Sequence, residues 1–172
     1  MKHIAFAALC LTLVSGCASF GEADDAAATA KLEPLAGSKV SGTVTFTRVG
    51  SDIVRVSGEV RGHTPGPKGF HIHEKGDCSD PKGMSAGGHF NPGGHKHGGP
   101  YEPERHAGDL GNINFDKQGV AAFNFVVGGI SVSSGKKDGI IGRSVIVHAA
   151  ADDLETDPTG NSGGRVACGI IK

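Results

Sequence analysis

Two histidines one residue apart, His71 and His73, are the first residues of this chain whose types and spacing could do metal chemistry. They lie in GFHIHEKGDC, residues 69–78. In a β-strand alternate side chains share a face, so both imidazoles would point one way while Phe70 and Ile72 point the other. A cation would fit between two such rings. Exposed histidines on a half-polar strand can show the same spacing, so the pair alone does not establish a metal site.

A glycine- and proline-rich segment, residues 74–110, follows this strand and contains further candidate ligands. They are His89, His97, His106 and Asp109. Three imidazoles and one carboxylate suit a closed tetrahedral zinc site. Something other than the backbone hydrogen bonds of strand pairing must fix the conformation of so long a loop. A bound ion can do so. The alternative is a solvated histidine-rich loop that binds metals loosely, and we place His63 and His95 outside the site.

His148 follows the apolar run VIV and is predicted to end a buried strand. A single histidine there is often a satisfied core residue. Together with His71, His73 and one loop histidine it would complete an all-imidazole site, and nitrogen-rich tetragonal sites favour copper over zinc.

The N-terminus is typical of an export signal, which we assign to residues 1–16. Its apolar stretch from Ile4 to Val14 is too short for a comfortable membrane span. The residues up to Cys17 resemble a bacterial lipoprotein processing site, in which the cysteine carries the lipid. An ordinary cleaved signal is the alternative. We interpret residues 17–37 as a flexible tether, which predicts an exported, periplasmic protein held at a membrane through its lipid.

The four cysteines agree with export. Cys10 leaves with the signal and Cys17 would be lipidated, which leaves Cys78 and Cys168. In an oxidising compartment this pair predicts one disulfide between an interior loop and the C-terminal segment.

Residues 38–172 are predicted to form one all-β domain. Runs rich in Val, Ile, Phe and Thr end at Gly, Asp or Asn, and short strands at this spacing indicate an antiparallel sandwich or barrel. The predicted strands are KVSGTVTFTRV, DIVRVSGEVRG, GFHIH, GNINF, GVAAFNFVV and IIGRSVIVHA.

Ordered motifs across residues 38–172 resemble the copper,zinc superoxide dismutase family, in its bacterial exported form. They are GFHIHEKGDC, GGHFNP, KHGGP, ERHAGDLGN, IIGRSVIVHA, ADDL and GNSGGRVACGII. The resemblance implies a Greek-key β-barrel, related to the immunoglobulin-like sandwiches, with long metal-binding and electrostatic loops.

The same resemblance implies one copper and one zinc ion per chain. The copper ligands would be His71, His73, His89 and His148. The zinc ligands would be His89, His97, His106 and Asp109. His89 would therefore bridge the two ions. Asp152 would hydrogen-bond one histidine of each ion, and Arg165 would dock the substrate.

The implied reaction is the dismutation of superoxide, in which one anion gives its electron to copper and a second anion takes it. His89 and Arg165 would be the catalytic residues. The formal charge of −1 becomes −2 when Lys2 leaves with the signal, so attraction of the anion must be local. Lys136 and Lys137 are candidates, and a solvated turn is the alternative role that we favour for them. We expect no nucleic-acid partner, and a homodimer is an open alternative to a monomer.

Two other functions remain open on the sequence. One is a copper- or zinc-binding relative, such as a copper chaperone, that has no turnover. The other is a zinc-stabilised structural or adhesion module, which would not need His71, His73 and His148 together.

Overall fold

The protein is described by a computed structural model over residues 27–172. Its one short helix among these residues is a 3₁₀ turn, Met84–Ala86. The strands are β1 (Ala27–Pro34), β2 (Ser41–Arg48), β3 (Ile53–Arg61), β4 (Gly66–His73), β5 (Asp109–Phe115), β6 (Val120–Gly128), β7 (Ser144–His148) and β8 (Arg165–Ile170). The predicted signal of residues 1–16, Cys10 and the lipidation site Cys17 lie outside the described residues.

All strand pairs are antiparallel, in the order β5-β4-β7-β8-β1-β2-β3-β6. The two end strands, β5 and β6, contact each other, so the sheet curls into a nearly closed barrel. The crossovers β3 to β6 and β4 to β7 are those of a Greek key. The predicted all-β class is confirmed.

Alternating side chains fill the barrel. On β2 and β3 the residues Val44, Phe46, Val54 and Val56 are buried, while their neighbours along each strand are more exposed. Phe70 and Ile72 of β4 join this core. Burial of each large apolar side chain stabilises the fold by about 1.5–3 kcal/mol. Because β4 is pleated, its two histidines lie on the opposite, outer face.

One prediction about the chain's organisation is wrong. The tether assigned to residues 17–37 overlaps β1, which pairs with both β2 and β8 and closes the barrel between them. Its inward residues are Ala28, Ala30 and Leu32. Two of these three are alanines, so the strand lacks the large β-branched and aromatic residues that made the other strands recognisable.

The six predicted strands are found, and β8 is an additional one. Its sequence RVACGI contains alanine and glycine at positions that pack closely against β1 and β7. There Gly169 lies so close to the backbone of Lys31 that a side chain would not fit.

The long connection between β4 and β5 is fixed at several points. The predicted disulfide is present, joining Cys78 of this connection to Cys168 of β8. Arg105, which is buried, donates hydrogen bonds to the carbonyl oxygens of Pro100, His106 and Gly128 over 2.6–2.9 Å. The backbone of this connection is therefore anchored at several points, although it contains almost no regular secondary structure.

This connection also adds to the sheet beside β4. The N–H of Phe90 donates to the carbonyl of Ile72 over 2.8 Å, and the N–H of Ile72 donates to the carbonyl of Gly108 over 2.9 Å. His89 consequently lies opposite His73 in an isolated β-bridge. Within residues 27–172 we find no helix with the length and apolar character needed to cross a bilayer.

Candidate metal centre

Four buried histidines form the first group of the centre: His71, His73, His89 and His148. One nitrogen of each lies within 4.8 Å of the corresponding nitrogens of the others. The ring centroids of His71 and His89 are 4.0 Å apart, and those of His71 and His148 are 4.8 Å apart. The sequence placed these four residues together, and the structure brings them together.

Strand pairing explains this proximity. β4 and β7 are neighbours, with Phe70 opposite Val147. His71 and His73 therefore lie beside the end of β7, and the pairing of β7 with β8 shifts at His148. The bridge between His73 and His89 brings the fourth ring from the long connection.

Each ring of this group is held by one nitrogen and leaves the other without a partner. His73 Nδ1 lies 3.0 Å from the carbonyl oxygen of Gly87, and His148 Nδ1 lies 3.2 Å from that of Gly163. A carbonyl can only accept, so both Nδ1 atoms carry the proton. The nitrogens without a hydrogen-bond partner are His71 Nδ1, His73 Nε2, His89 Nε2 and His148 Nε2. Four buried lone pairs that converge in this way fit a cation.

Electrostatics keeps these rings neutral, which is the form that binds metals. Burial lowers the pKa of His73 and His148 well below the ordinary histidine value, and neighbouring histidines add to the effect. Burial also lowers the pKa of His71, and it lowers that of His89 to about 4.

The second group consists of His89, His97, His106 and Asp109, all buried. Asp109 Oδ1 lies 2.8 Å from His89 Nδ1 and 3.2 Å from His106 Nδ1. His97 Nδ1 lies 3.1 Å from the same oxygen without hydrogen-bonding geometry. Burial opposes ionisation of Asp109, but the three histidines hold the pKa of its carboxyl well below the usual range. Three nitrogens and one carboxylate oxygen fit a tetrahedral cation site.

His89 belongs to both groups. Its Nδ1 lies against Asp109, while its unpaired Nε2 faces the first group. Two cations would therefore share this imidazole, one at each nitrogen.

Asp152 connects the two groups by contacting one histidine of each. Its two oxygens lie 2.7 Å from His71 Nε2 and 2.9 Å from His97 Nε2. Burial opposes its ionisation, but these histidines lower the pKa of Asp152. Burial likewise opposes protonation of His97, yet Asp109 and Asp152 raise the pKa of His97 to about 10. Such partners fix the orientation of ligand rings.

Two residues that support Asp152 were missed by the sequence analysis. Asn112 of β5 donates to the carbonyl of Asp152 over 2.9 Å and accepts from its N–H over 2.8 Å. Gly160 has φ +60°, and a Cβ there would collide with Asp152 Oδ1 and with His97 Nε2. An asparagine on a strand and one glycine in a glycine-rich chain give no sequence signal of this kind.

Arg165 lies at the entrance to the first group. It is opposite His148 across β7 and β8, and both line one cleft of about 350 Å³. Its guanidinium donates to the carbonyls of Gly83 and Gly87 over 2.6 Å each. Lys82, which the sequence analysis missed, lines the same cleft. The loop that carries Lys82 follows Cys78, whose disulfide with Cys168 joins it to β8.

The remaining candidates lie elsewhere. His63 and His95 are outside both groups, as predicted. Asp153, the carboxylate next to Asp152 in the chain and the alternative to it, is exposed and accepts hydrogen bonds from Thr156 and Asn161 of its own loop. Lys137 lines a separate cleft beside His95, and neither it nor Lys136 lines the cleft that contains Arg165. The two lysines are exposed and lie outside that cleft, in agreement with the alternative of a solvated turn.

The chain is similar to known proteins in sequence and in fold. The family model described as copper/zinc superoxide dismutase matches residues 40–171. A solved structure, that of the clock protein EA4, is 43% identical, with a TM-score of 0.77. The match covers 88% of this chain and 96% of that one.

The close approach of Gly160 to Asp152 leads to a testable expectation. We expect Gly160→Ala to push the Asp152 carboxylate off His97 and to weaken Zn²⁺ binding by about 10- to 100-fold. Competition with a chromophoric chelator measures this. Gly135→Ala is the matched control, because Gly135 has a similar φ of +73° and no atom within 4 Å of its Cβ position. Equal Zn²⁺ affinity in the two variants would contradict the role of Gly160.

Proposed function

The chain belongs to the copper/zinc superoxide dismutase family, and from that membership we propose that it dismutes superoxide. Two superoxide anions and two protons would give one dioxygen and one hydrogen peroxide. The observation that carries the proposal is the pair of buried ligand groups that share His89. A purely structural zinc site would need only the second group.

We assign copper to the first group, His71, His73, His89 and His148, because its four ligands are all imidazoles. We assign zinc to the second group, His89, His97, His106 and Asp109, because it mixes nitrogen with a carboxylate oxygen. When bound, copper would supply the one-electron redox chemistry, whereas zinc has no redox role. Asp152 would keep His71 and His97 in a fixed relative orientation.

Arg165 would dock the anion. Its carbonyl partners at Gly83 and Gly87 hold the guanidinium in place without neutralising its charge. Gly87 also accepts from His73 Nδ1, so the docking charge and a copper ligand are fixed to the same backbone atom. With a formal net charge of only −1, attraction must come from charges at the cleft, which here are Arg165 and Lys82.

His89 would handle a proton of the reaction. The peroxide product needs two protons, and His89 Nε2 faces the first group without a hydrogen-bond partner. Whenever its lone pair is not used for copper, this nitrogen can hold one proton near the substrate and release it to the peroxide, while Nδ1 stays on the Asp109 side.

The decisive experiment is the rate of superoxide decay with the chain loaded with copper and zinc. We expect fast decay for the wild type and the uncatalysed rate for His148→Ala, with zinc content unchanged because His148 belongs only to the first group. Full activity in His148→Ala would refute the copper assignment. One copper and one zinc bound to the wild type without acceleration would instead favour the alternative, a metal-binding or chaperone relative.

Attraction by Lys82 can be tested separately. We expect Lys82→Gln to lower the rate constant at low ionic strength by about two- to fivefold and to flatten its salt dependence, since charges at a cleft raise on-rates by about 10- to 1000-fold in total. Lys137→Gln removes the same charge outside this cleft and should leave both unchanged. Identical salt profiles for the two variants would contradict the assignment of Lys82.

We also propose export to the periplasm with a lipid on Cys17, supported by the sequence of residues 1–17. In bacterial cells, labelled palmitate should enter the wild type and should be absent from Cys17→Ser. Label in neither protein would refute the lipid anchor. A homodimer stays a prediction.

A further inference from the structure

His63 is the histidine that the two metal groups leave unused, and it nevertheless contacts one of their members. It lies in the connection between β3 and β4, half-buried, with its ring centroid 5.0 Å from that of Phe115. Its Nε2 is 3.2 Å from the main-chain carbonyl oxygen of His148. These residues are 85 positions apart in the chain.

The partners of the ring define which nitrogen carries the proton. A carbonyl oxygen can only accept, so Nε2 of His63 is the donor. Nδ1 lies 3.1 Å from the hydroxyl of Thr64, which can donate to it. With both nitrogens paired and the ring packed at a tilt against Phe115, His63 is held in one orientation.

Among the three copper-group ligands that lie on strands, His148 most needs such support. His71 and His73 lie within the paired part of β4. His148 is the last residue of β7, where the pairing with β8 shifts register, and the next segment is a loop. Its ring is fixed through Nδ1 to Gly163, which itself belongs to that loop. Gly69 of β4 already donates to the carbonyl of Ala150, two residues further on, over 2.9 Å. An attachment at the carbonyl of His148 itself would fix the remaining freedom of the ligand residue.

We infer that His63 is a positioning residue for the copper site: its Nε2–H holds the carbonyl of His148 and thereby fixes where His148 Nε2 points. The inference rests on the proposed assignment of copper to the first group. His63 does not touch substrate or metal. It acts through the backbone of a ligand, as outer partners of metal sites do.

The test compares Cu²⁺ binding and the Cu²⁺ electron paramagnetic resonance spectrum in zinc-loaded protein. We expect His63→Leu, which removes the donor, to change the spectrum and to weaken Cu²⁺ binding by about 10- to 100-fold with zinc content unchanged. His63→Gln places an amide N–H near the position of Nε2 and should retain the wild-type spectrum. His95→Leu, at an exposed histidine outside both groups, is the control for loss of an imidazole.

A wild-type spectrum and affinity in His63→Leu would overturn the inference, and so would an equal change in His63→Gln. If His63→Leu does not fold, Thr64→Val serves in its place, because it frees Nδ1 while keeping the ring. A smaller change in the same direction would support the role, and an unchanged spectrum would overturn it. The spectrum is read without turnover, so a wild type that binds copper but does not dismute superoxide would count against the proposed function alone.

Discussion

Unpaired nitrogens on buried rings are the constraint on which the rest of this structure depends. Leaving a buried polar atom without a partner costs about 1–3 kcal/mol, and the first group has four such atoms. Only a cation can satisfy four converging lone pairs at once, because hydrogen-bond donors at that point would crowd each other. A bound cation would therefore stabilise the folded state, because it would satisfy these atoms where the fold leaves them unpaired.

That constraint explains why the surrounding polar groups are arranged in pairs. Asp152 fixes one ring of each group, and Asp109 gathers the three rings of the second group around one oxygen. Both carboxylates lie among histidines, so each charge is compensated where it is buried. His89 then joins the two groups, since a single ring belongs to both.

Much of this could be predicted from sequence because it follows from local rules. The alternation of Phe70 and His71 along one strand separates core from site, and the run before His148 marks a buried strand end. The residues that escaped prediction act through distant chain segments. Gly160 matters only because Asp152 passes within contact distance, and β1 escaped because alanines carry little hydrophobic signal. His63 looked like a solvated histidine because its partner is a carbonyl 85 residues away.

Backbone carbonyls hold Arg165 and two of the four histidines of the first group, His73 and His148, and this bears on how such a site can change during evolution. The oxygens of Gly83 and Gly87 fix Arg165, and that of Gly87 also fixes His73. Replacing a side chain cannot delete an acceptor that every residue has. Inserting or removing one residue in this loop would move both acceptors at once. Divergence at this entrance should thus be limited by loop length, and by the need for glycine at both positions, where φ is positive and a Cβ would collide with Leu35 or Glu74.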